Sequence, residues 1–217
     1  MSELSGARRK RRDAAENRER ILDHAEQLFE IHGLETGFHR IANDLGIGVG
    51  TVYRHFPDRD ALFLSLYERY HQRIEELGET MLTRPEGMPR VLAFIDSTIA
   101  FSARRPVARR VSARVRQAHP DQVRSSRWEP EISAAVRQAK EAGDLRDDVE
   151  VTDVAVLAGM LADLATIDEP RRSILLPRMR ALTMDALRPV GQARPGLGTV
   201  ALSVEDLTAL AHQSGRG

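Results

Sequence analysis

The sequence predicts an all-α fold in which a small N-terminal helical domain is joined by a long helix to a larger helical domain. Apolar residues recur at helical spacing along almost the whole chain, and no stretch shows the period-two alternation of a half-buried strand. Prolines and glycines interrupt this pattern at intervals that suit helices. The length of 217 residues fits one small and one larger domain, and the 41% of hydrophobic residues can supply a core for each.

The first sixty residues predict three helices around a small apolar core. A helix over about 13–32 carries an apolar stripe and ends at Gly33. Two helices over about 38–45 and 49–56 are each too short to be stable alone. The inward positions are Ile21, Leu22, Ala25, Leu28, Phe29, Phe38, Ile41, Ala42, Leu45, Ile47, Val52 and Phe56. We therefore expect a helix-turn-helix domain over 13–57, preceded by a disordered basic arm over 1–12.

A long helix over residues 58–82 is predicted to join the two domains. Its apolar residues stay in helical phase, namely Leu62, Leu66, Tyr70, Ile74, Leu77 and Met81. At 1.5 Å per residue this helix would be on the order of 35 Å long, which is enough to leave the first domain and enter the second.

The second domain, over residues 83–188, is predicted to contain five helices. Their expected bounds are about 89–104, 106–118, 129–142, 152–167 and 171–187. The fourth is nearly apolar all round, so it must be buried in its own core or against another subunit. A mostly irregular tail is expected over 189–217, with one peripheral helix over 203–212.

Composition argues against several classes of function. The 32 basic and 32 acidic residues give a net charge of zero, which is not typical of a nonspecific polyanion binder. The chain has no cysteine, and no histidine pair has metal-ligand spacing, so we expect no metal site. No apolar run could span a bilayer and no signal-peptide core follows the basic start, so we expect a cytoplasmic protein. No catalytic constellation is present, and we expect neither an enzyme nor a cofactor.

The helix over 49–56 presents a polar surface that suits DNA. Its outward residues are Val49, Gly50, Thr51, Tyr53, Arg54 and His55. A helix of this size fits the major groove with its N-terminal residues against base edges. We expect Arg54 to make a bidentate guanine contact. Thr51, Tyr53 and His55 are expected to contact phosphates.

Basic residues are concentrated at the N-terminus, where five of the first 12 residues are arginine or lysine. The first 60 residues nevertheless contain 10 basic and 11 acidic residues, so attraction to DNA must rest on local geometry and on this arm. The arm is interpreted either as a solubilising tail or as a segment that reaches neighbouring phosphates. Each phosphate contact would add about 0.9 to the slope of log affinity against log salt concentration.

Between residues 13 and 70, many residues match one known sequence signature in both residue type and spacing. They are Gly33, Thr36, Ile41, Ala42, Gly46, Ile47, Gly50, Thr51, Val52, Tyr53, His55, Phe56, Arg59 and Leu62. In type and spacing they closely resemble the signature of the TetR family of regulators. The resemblance implies that Tyr53 and His55 contact the DNA backbone and that Arg59 clamps a phosphate. Thr36, where the family often begins a hydroxyl pair, and Arg40 complete the expected DNA-binding residues.

Gly37 and Gly48 depart from the family pattern, which commonly has a hydroxyl residue at each position. Glycine caps a helix less well than serine by only a few tenths of a kcal/mol, so the fold is expected to survive. The side-chain phosphate contacts at these two positions are not expected.

The resemblance also implies a homodimer that binds a palindromic operator. The helices over 152–167 and 171–187 are the ones expected at a four-helix dimer interface. The two recognition helices would then lie about 34–36 Å apart, which is one turn of DNA. A small-molecule effector would favour a conformation with the wrong spacing, transmitted through the helix over 58–82.

An effector pocket among the helices of the second domain is a further implication of the resemblance. The candidate lining residues are Met81, Phe94, Ile95, Thr98, Phe101, Val111, Val115, Trp128, Met160 and Leu164, for which ordinary core packing is the alternative. Eight arginines and one acid between residues 100 and 127 would suit an anionic effector, although a solvated or interdomain face is the preferred interpretation.

The sequence therefore predicts a DNA-binding transcription regulator, with repression and effector-induced release as the expected mode. One alternative is a small-molecule-binding helical protein or enzyme whose helix-turn-helix is incidental. Another is an architectural DNA-binding protein without an effector.

Overall fold

A computed structural model describes residues 2–124, 127–189 and 191, and these residues form nine α-helices and no strand. The helices are α1 (Ser2–His32), α2 (Phe38–Leu45), α3 (Val49–His55), α4 (Arg59–Leu82), α5 (Met88–Arg104), α6 (Ala108–Ala118), α7 (Glu129–Glu141), α8 (Val151–Leu164) and α9 (Arg171–Ala186). The all-α prediction is confirmed. Within this part of the chain no helix combines the length and the apolar character needed to cross a membrane.

Helix α1 begins at Ser2, so residues 2–12, which were expected to be a disordered arm, are helical in the structure. Ala7, Lys10 and the four arginines before residue 13 are strong helix formers, and no stop signal separates them from the predicted helix. A 3-10 turn at Pro120–Gln122 was also not predicted. The expected helix over 203–212, and almost all of the predicted tail, lie outside the described residues.

The chain divides into two compact units whose boundary differs from the expected domain boundary. The first unit comprises the chain up to Arg73 together with Pro106–Arg124. The second unit comprises Ile74–Arg105 and the chain from Ser125 onward. Helix α6 therefore belongs to the first unit, although its residues lie within the predicted second domain over 83–188.

Specific contacts explain why α6 belongs to the first unit. Val111 and Val115 are fully buried, and they lie on one face of α6. On its polar side, the Arg110 guanidinium donates a hydrogen bond of 3.2 Å to the Phe29 carbonyl oxygen in the last turn of α1. Arg114 lies 3.4 Å from the Asp60 carboxylate at the start of α4.

The core of the first unit contains apolar residues that helical spacing predicted to face inward. Ile21, Ile41 and Val52 are completely buried, and they come from α1, α2 and α3 respectively. Leu45 and Ile47, which were also expected inside, are only half-buried. Helix α4 contributes further to this core, and its Phe63 ring lies 5.4 Å from the ring of Phe29. Three helices too short or too polar to fold separately are thereby stabilised by tertiary packing.

The turn between α2 and α3 depends on the left-handed backbone of Gly46, which has φ of 65°. A side chain at this φ would be strained, whereas glycine adopts it freely. The Ile47 N–H then donates to the Ala42 carbonyl oxygen over 3.0 Å, which closes the end of α2. This geometry fixes the direction in which α3 leaves the turn.

An ion-pair network joins α1 to α4 inside the first unit. The Arg69 guanidinium lies 2.5 Å from the Asp23 carboxylate and 2.6 Å from that of Glu26. Glu26 is only 8% exposed, so its charge needs close compensation, and Arg69 contributes to that compensation. The network therefore fixes the orientation of α1 on α4.

The second unit is built around α5, which packs against α7 and α8, while α9 packs against α8. Its core contains Val91, Ile95, Ile132, Ala135, Ala139, Val154, Ala158 and Leu161. Helix α8 is not buried all round, since Val156 is 62% exposed and Met160 is 60% exposed. The prediction of burial in its own core is thus wrong for this face, and burial against another subunit stays a prediction.

Candidate nucleic-acid interface

Helix α3 has one side in the core of the first unit and one side in solvent. Val52 is completely buried, whereas Gly50, Tyr53 and Arg54 are exposed. Val49, Thr51 and His55 are half-buried at the edges of this exposed side. We call these six residues the α3 surface. The structure therefore brings together all the residues that the sequence assigned to this helix.

Tyr53 is held by its ring while much of the residue stays accessible. The ring meets that of Phe38 edge-on, with centroids 5.1 Å apart. Such contacts contribute about 0.5–1.5 kcal/mol beyond area burial. Because Tyr53 is still 49% exposed, this contact fixes its ring without removing it from the surface. His55 lies at the far end of α3, where its ring centroid is 6.3 Å from that of Phe56.

The Arg54 side chain is anchored to its own helix. Its Nε–H donates to the Gly50 carbonyl oxygen over 3.2 Å. This bond involves neither terminal amino group of the guanidinium. Those two groups are the ones required for the bidentate guanine contact predicted from the sequence.

Arg40 is engaged by its neighbours on α1 and α2. Its Nε–H donates to the Asp44 carboxylate over 3.0 Å, and a terminal nitrogen lies 3.4 Å from the His32 ring nitrogen. The hydrogen bond from Arg40 lowers the pKa of the Asp44 carboxyl below its ordinary value, and His24 adds to this effect. Arg40 is thus exposed at the surface, and its guanidinium is paired with the Asp44 carboxylate.

Arg59 is also bound inside the first unit. Its guanidinium donates to the Leu34 carbonyl oxygen and, over 3.0 Å, to the Glu35 carboxylate. It also lies over the Phe63 ring at 5.7 Å from the centroid. The Thr36 hydroxyl donates to the Gly33 carbonyl oxygen over 3.0 Å. Both residues that the resemblance assigned beside α2 and α4 therefore have internal partners.

Glycine precedes both helices of the motif and leaves them without side-chain caps. Gly37 and Gly48 are the N-cap residues of α2 and α3, and neither helix has a side-chain cap hydrogen bond. Both glycines have negative φ, and a Cβ built on either meets no atom within 4 Å. A serine would therefore fit at both positions without strain.

We expect Gly48→Ser to stabilise the fold slightly and to strengthen DNA binding. The new hydroxyl would accept a hydrogen bond from the first turn of α3, which is worth a few tenths of a kcal/mol over glycine. Thermal unfolding and operator titration would measure the two effects. Gly48→Ala is the matched control, because it adds the Cβ but no hydroxyl; equal affinity of the serine and alanine variants would contradict the prediction.

The second unit contains a cavity of about 240 Å³. Its walls are formed by the C-terminal part of α4, by α5 and by the residue before α7. The lining residues are Ile74, Leu77, Gly78, Met81, Phe94, Ser97, Thr98, Phe101 and Trp128. Met81, Phe94, Thr98, Phe101 and Trp128 were among the sequence candidates for an effector pocket.

The other five candidates do not line this cavity. Val111 and Val115 are buried in the first unit, because α6 packs there. Ile95 is completely buried in the core of the second unit, and Leu164 packs against that core. Met160 points into solvent on α8.

Four residues of the cavity wall were not predicted from the sequence, namely Ile74, Leu77, Gly78 and Ser97. Ile74, Leu77 and Met81 were recognised as one face of the long helix, and that face is the signal that would have found the first two. Ser97 precedes the candidate Thr98 on α5. Only the packing of Trp128 reveals the role of Gly78.

The arginines between residues 100 and 127 do not gather into one cationic site among the described residues. Arg114 pairs with Asp60, and Arg124 pairs with Glu68 over 3.2 Å in the first unit. Arg127 pairs with Glu75 in the second unit. Their distribution over separate acidic partners favours a charged face over a single anion site.

The geometry of α2, the Gly46 turn and α3 defines a helix-turn-helix, and comparison with known proteins shows which proteins share it. The family model described as bacterial regulatory proteins of the tetR family matches residues 21–66. An HTH-type transcriptional regulator of Staphylococcus aureus (strain bovine RF122 / ET3-1) is 48% identical over 60 residues, which are 27% of this chain. The match spans only 32% of the length of that relative.

Solved structures extend the likeness beyond the motif. A TetR transcriptional regulator from Streptomyces coelicolor is 26% identical, with a TM-score of 0.55, and the match covers 80% of this chain and 99% of that one. A gamma-butyrolactone receptor described as ArpA-like is 25% identical, with a TM-score of 0.59, and the match covers 82% of this chain and 92% of that one. Residues 21–66 therefore match the tetR family of bacterial regulatory proteins, and the fold of most of the chain is similar to that of a TetR transcriptional regulator.

Proposed function

We propose that this chain is a repressor that binds a palindromic operator as a homodimer and is released by a small-molecule effector. The observation that carries the proposal is the α3 surface. A short helix is fixed by Val52 in the core and presents Tyr53 and Arg54 to solvent. This arrangement suits insertion into a major groove, where side chains of these types bind phosphates and base edges.

The exposed apolar side chains of the second unit support the homodimer. Val156 and Met160 are mostly exposed on α8, and Leu182 is 38% exposed on α9. Val156 and Met160 are four residues apart and share one face of their helix. A second copy of the chain would remove this surface from water in a four-helix contact.

Val156→Glu with Met160→Glu is accordingly expected to yield monomers in analytical ultracentrifugation.

Footprinting on the DNA adjacent to the chain's own gene would test the operator. We expect two protected half-sites related by a palindrome and centred about one helical turn apart. Scrambling one half-site should abolish tight binding, whereas scrambling an unprotected flank of equal length is the control. Uniform protection of the DNA, regardless of its sequence, would contradict the proposal.

The cavity in the second unit supports the effector part of the proposal. Its lining is largely apolar and its few polar groups are hydroxyls, which is typical of small-molecule sites. An effector that binds about a hundredfold more tightly to the conformation that does not bind DNA would shift the equilibrium by about 2.7 kcal/mol.

Reporter expression from the footprinted operator would rise on deletion of the gene if the chain is a repressor.

A further inference from the structure

We infer that the effector is a compact, uncharged, largely apolar molecule of about two fused rings, bound against the indole of Trp128. This inference rests on the proposed function, because it names the chemical class that the effector cavity would accept. It is carried by the charge, the size and the aromatic wall of the cavity.

No residue that lines the cavity carries a charge. Arg127, which lies over the Trp128 ring, is already paired, since it lies 2.7 Å from the Glu75 carboxylate and 2.5 Å from that of Glu79. A carboxylate or ammonium ligand would lose its hydration here without gaining a charged partner, which is strongly unfavourable. The lining therefore selects against ions.

The size of the cavity sets the size of the ligand. A cavity of about 150 Å³ lined by aliphatic and aromatic residues accepts benzene. The cavity described above is about 240 Å³, which leaves room for a second ring. A bicyclic compound of about ten to twelve heavy atoms would fill most of it.

Trp128 forms a wall whose position depends on Gly78. Its indole N–H donates to the Glu75 carbonyl oxygen on α4 over 3.0 Å, and Arg127 lies over the ring at 4.3 Å from the centroid. The indole lies so close to Gly78 that a methyl group there would overlap the ring. Glycine is thus the residue that allows the indole to lie against the backbone of α4.

Two hydroxyl groups provide the polar character of the cavity. The Thr98 hydroxyl already donates to the Phe94 carbonyl oxygen over 2.9 Å. Ser97, one residue earlier on α5, adds a second hydroxyl to the lining. We assign Ser97 as the partner for a single hydroxyl or carbonyl group of the ligand.

The fluorescence of Trp128 would test this inference directly, because it is the only tryptophan in the chain. The probes are decalinol, a bicyclic alcohol, and decalin carboxylate, which has the same rings and a negative charge. Neither absorbs at the excitation wavelength of tryptophan. We expect decalinol to shift the emission saturably and decalin carboxylate to bind at least tenfold more weakly. Equal binding of the two probes, or no response to decalinol up to its solubility limit, would overturn the inference.

Variants of Ser97 distinguish the effect of filling the cavity from the effect of removing a hydrogen bond to the ligand. Ser97→Leu would fill part of the cavity and should abolish the decalinol response. Ser97→Ala keeps the space and removes one hydrogen bond, so we expect binding about three- to tenfold weaker. Thr80→Leu places the same side chain at an exposed position of α4 and is the control, with no change expected. A Ser97→Leu protein that binds decalinol as tightly as the parent would contradict the assignment.

The Gly78→Ala variant tests whether the position of the Trp128 indole depends on the absence of a side chain at residue 78. The added methyl group should displace the indole, which would change the emission of the free protein and weaken decalinol binding at least tenfold. Unchanged emission and unchanged binding would show that the indole does not depend on Gly78.

Operator retardation on the same samples distinguishes this inference from the proposed function. A protein that binds its operator but does not respond to decalinol overturns only the ligand class. A protein whose Trp128 emission responds to decalinol but that binds no operator contradicts only the proposed function.

Discussion

Replacing Tyr53 and His55 together by alanine is expected to lower operator affinity at least a hundredfold while leaving the protein folded and dimeric. Both residues belong to the α3 surface, and neither contributes to the completely buried core. A hydrogen bond to a charged group contributes about 1.5–3 kcal/mol, so the loss of two phosphate contacts in each half-site would account for this change. Mobility-shift titration at fixed salt concentration would measure the affinity.

Two single variants make this prediction sharper. Tyr53→Phe retains the edge-on contact with Phe38 and removes only the hydroxyl, so it should keep full thermal stability and lose part of the affinity. His39→Ala removes an exposed histidine of α2 to which no DNA contact is assigned, and it serves as the control. Normal operator retardation by the folded double variant would refute the assignment of the α3 surface.

Replacing Arg69 by methionine is expected to lower the free energy of unfolding by about 2–4 kcal/mol. The change removes the guanidinium that lies 2.6 Å from the Glu26 carboxylate, which is only 8% exposed. Breaking a buried ion pair on one side costs about 3–5 kcal/mol, and the partial exposure of Arg69 reduces that value. Chemical denaturation followed by circular dichroism would measure the loss.

Two comparisons would show that the loss comes from the uncompensated charge. Arg69→Met combined with Glu26→Gln removes both charges and should recover at least half of the lost stability. Breaking the more exposed pair of Arg180 and Asp96 with Arg180→Met should cost less than about 1 kcal/mol. An Arg69 variant as stable as the Arg180 variant would mean that the network does not stabilise α1 on α4.

The helix-turn-helix was predictable because its determinants are local in sequence. The inward positions Ile41 and Val52 follow from helical spacing, and the stop at Gly46 follows from turn chemistry. Met81, Phe94 and Phe101 were proposed as pocket residues on a different ground, because the family resemblance implies an effector pocket among these helices.

The remaining errors concern which elements pack together, which local pattern does not determine. Val111 and Val115 have the spacing of a buried helix face, but that spacing does not say which core they enter. Likewise, the pairing of Arg40 with Asp44 has the i,i+4 spacing of a helix, whereas the pairing of Arg59 with Glu35 joins separate parts of the chain. Only the fold reveals the second pair.

The carboxylates that hold Arg40 and Arg59 affect how the regulator would distribute itself over a chromosome. A cation already paired with Asp44 or Glu35 displaces few counterions from arbitrary DNA, so residence at the very large number of competing sites gains little from it. In the proposed complex with the operator, well-fitted contacts would draw the same guanidinium groups away from their acids. The acids would then reduce the time spent on nonspecific DNA, so that a modest number of molecules would keep one operator occupied.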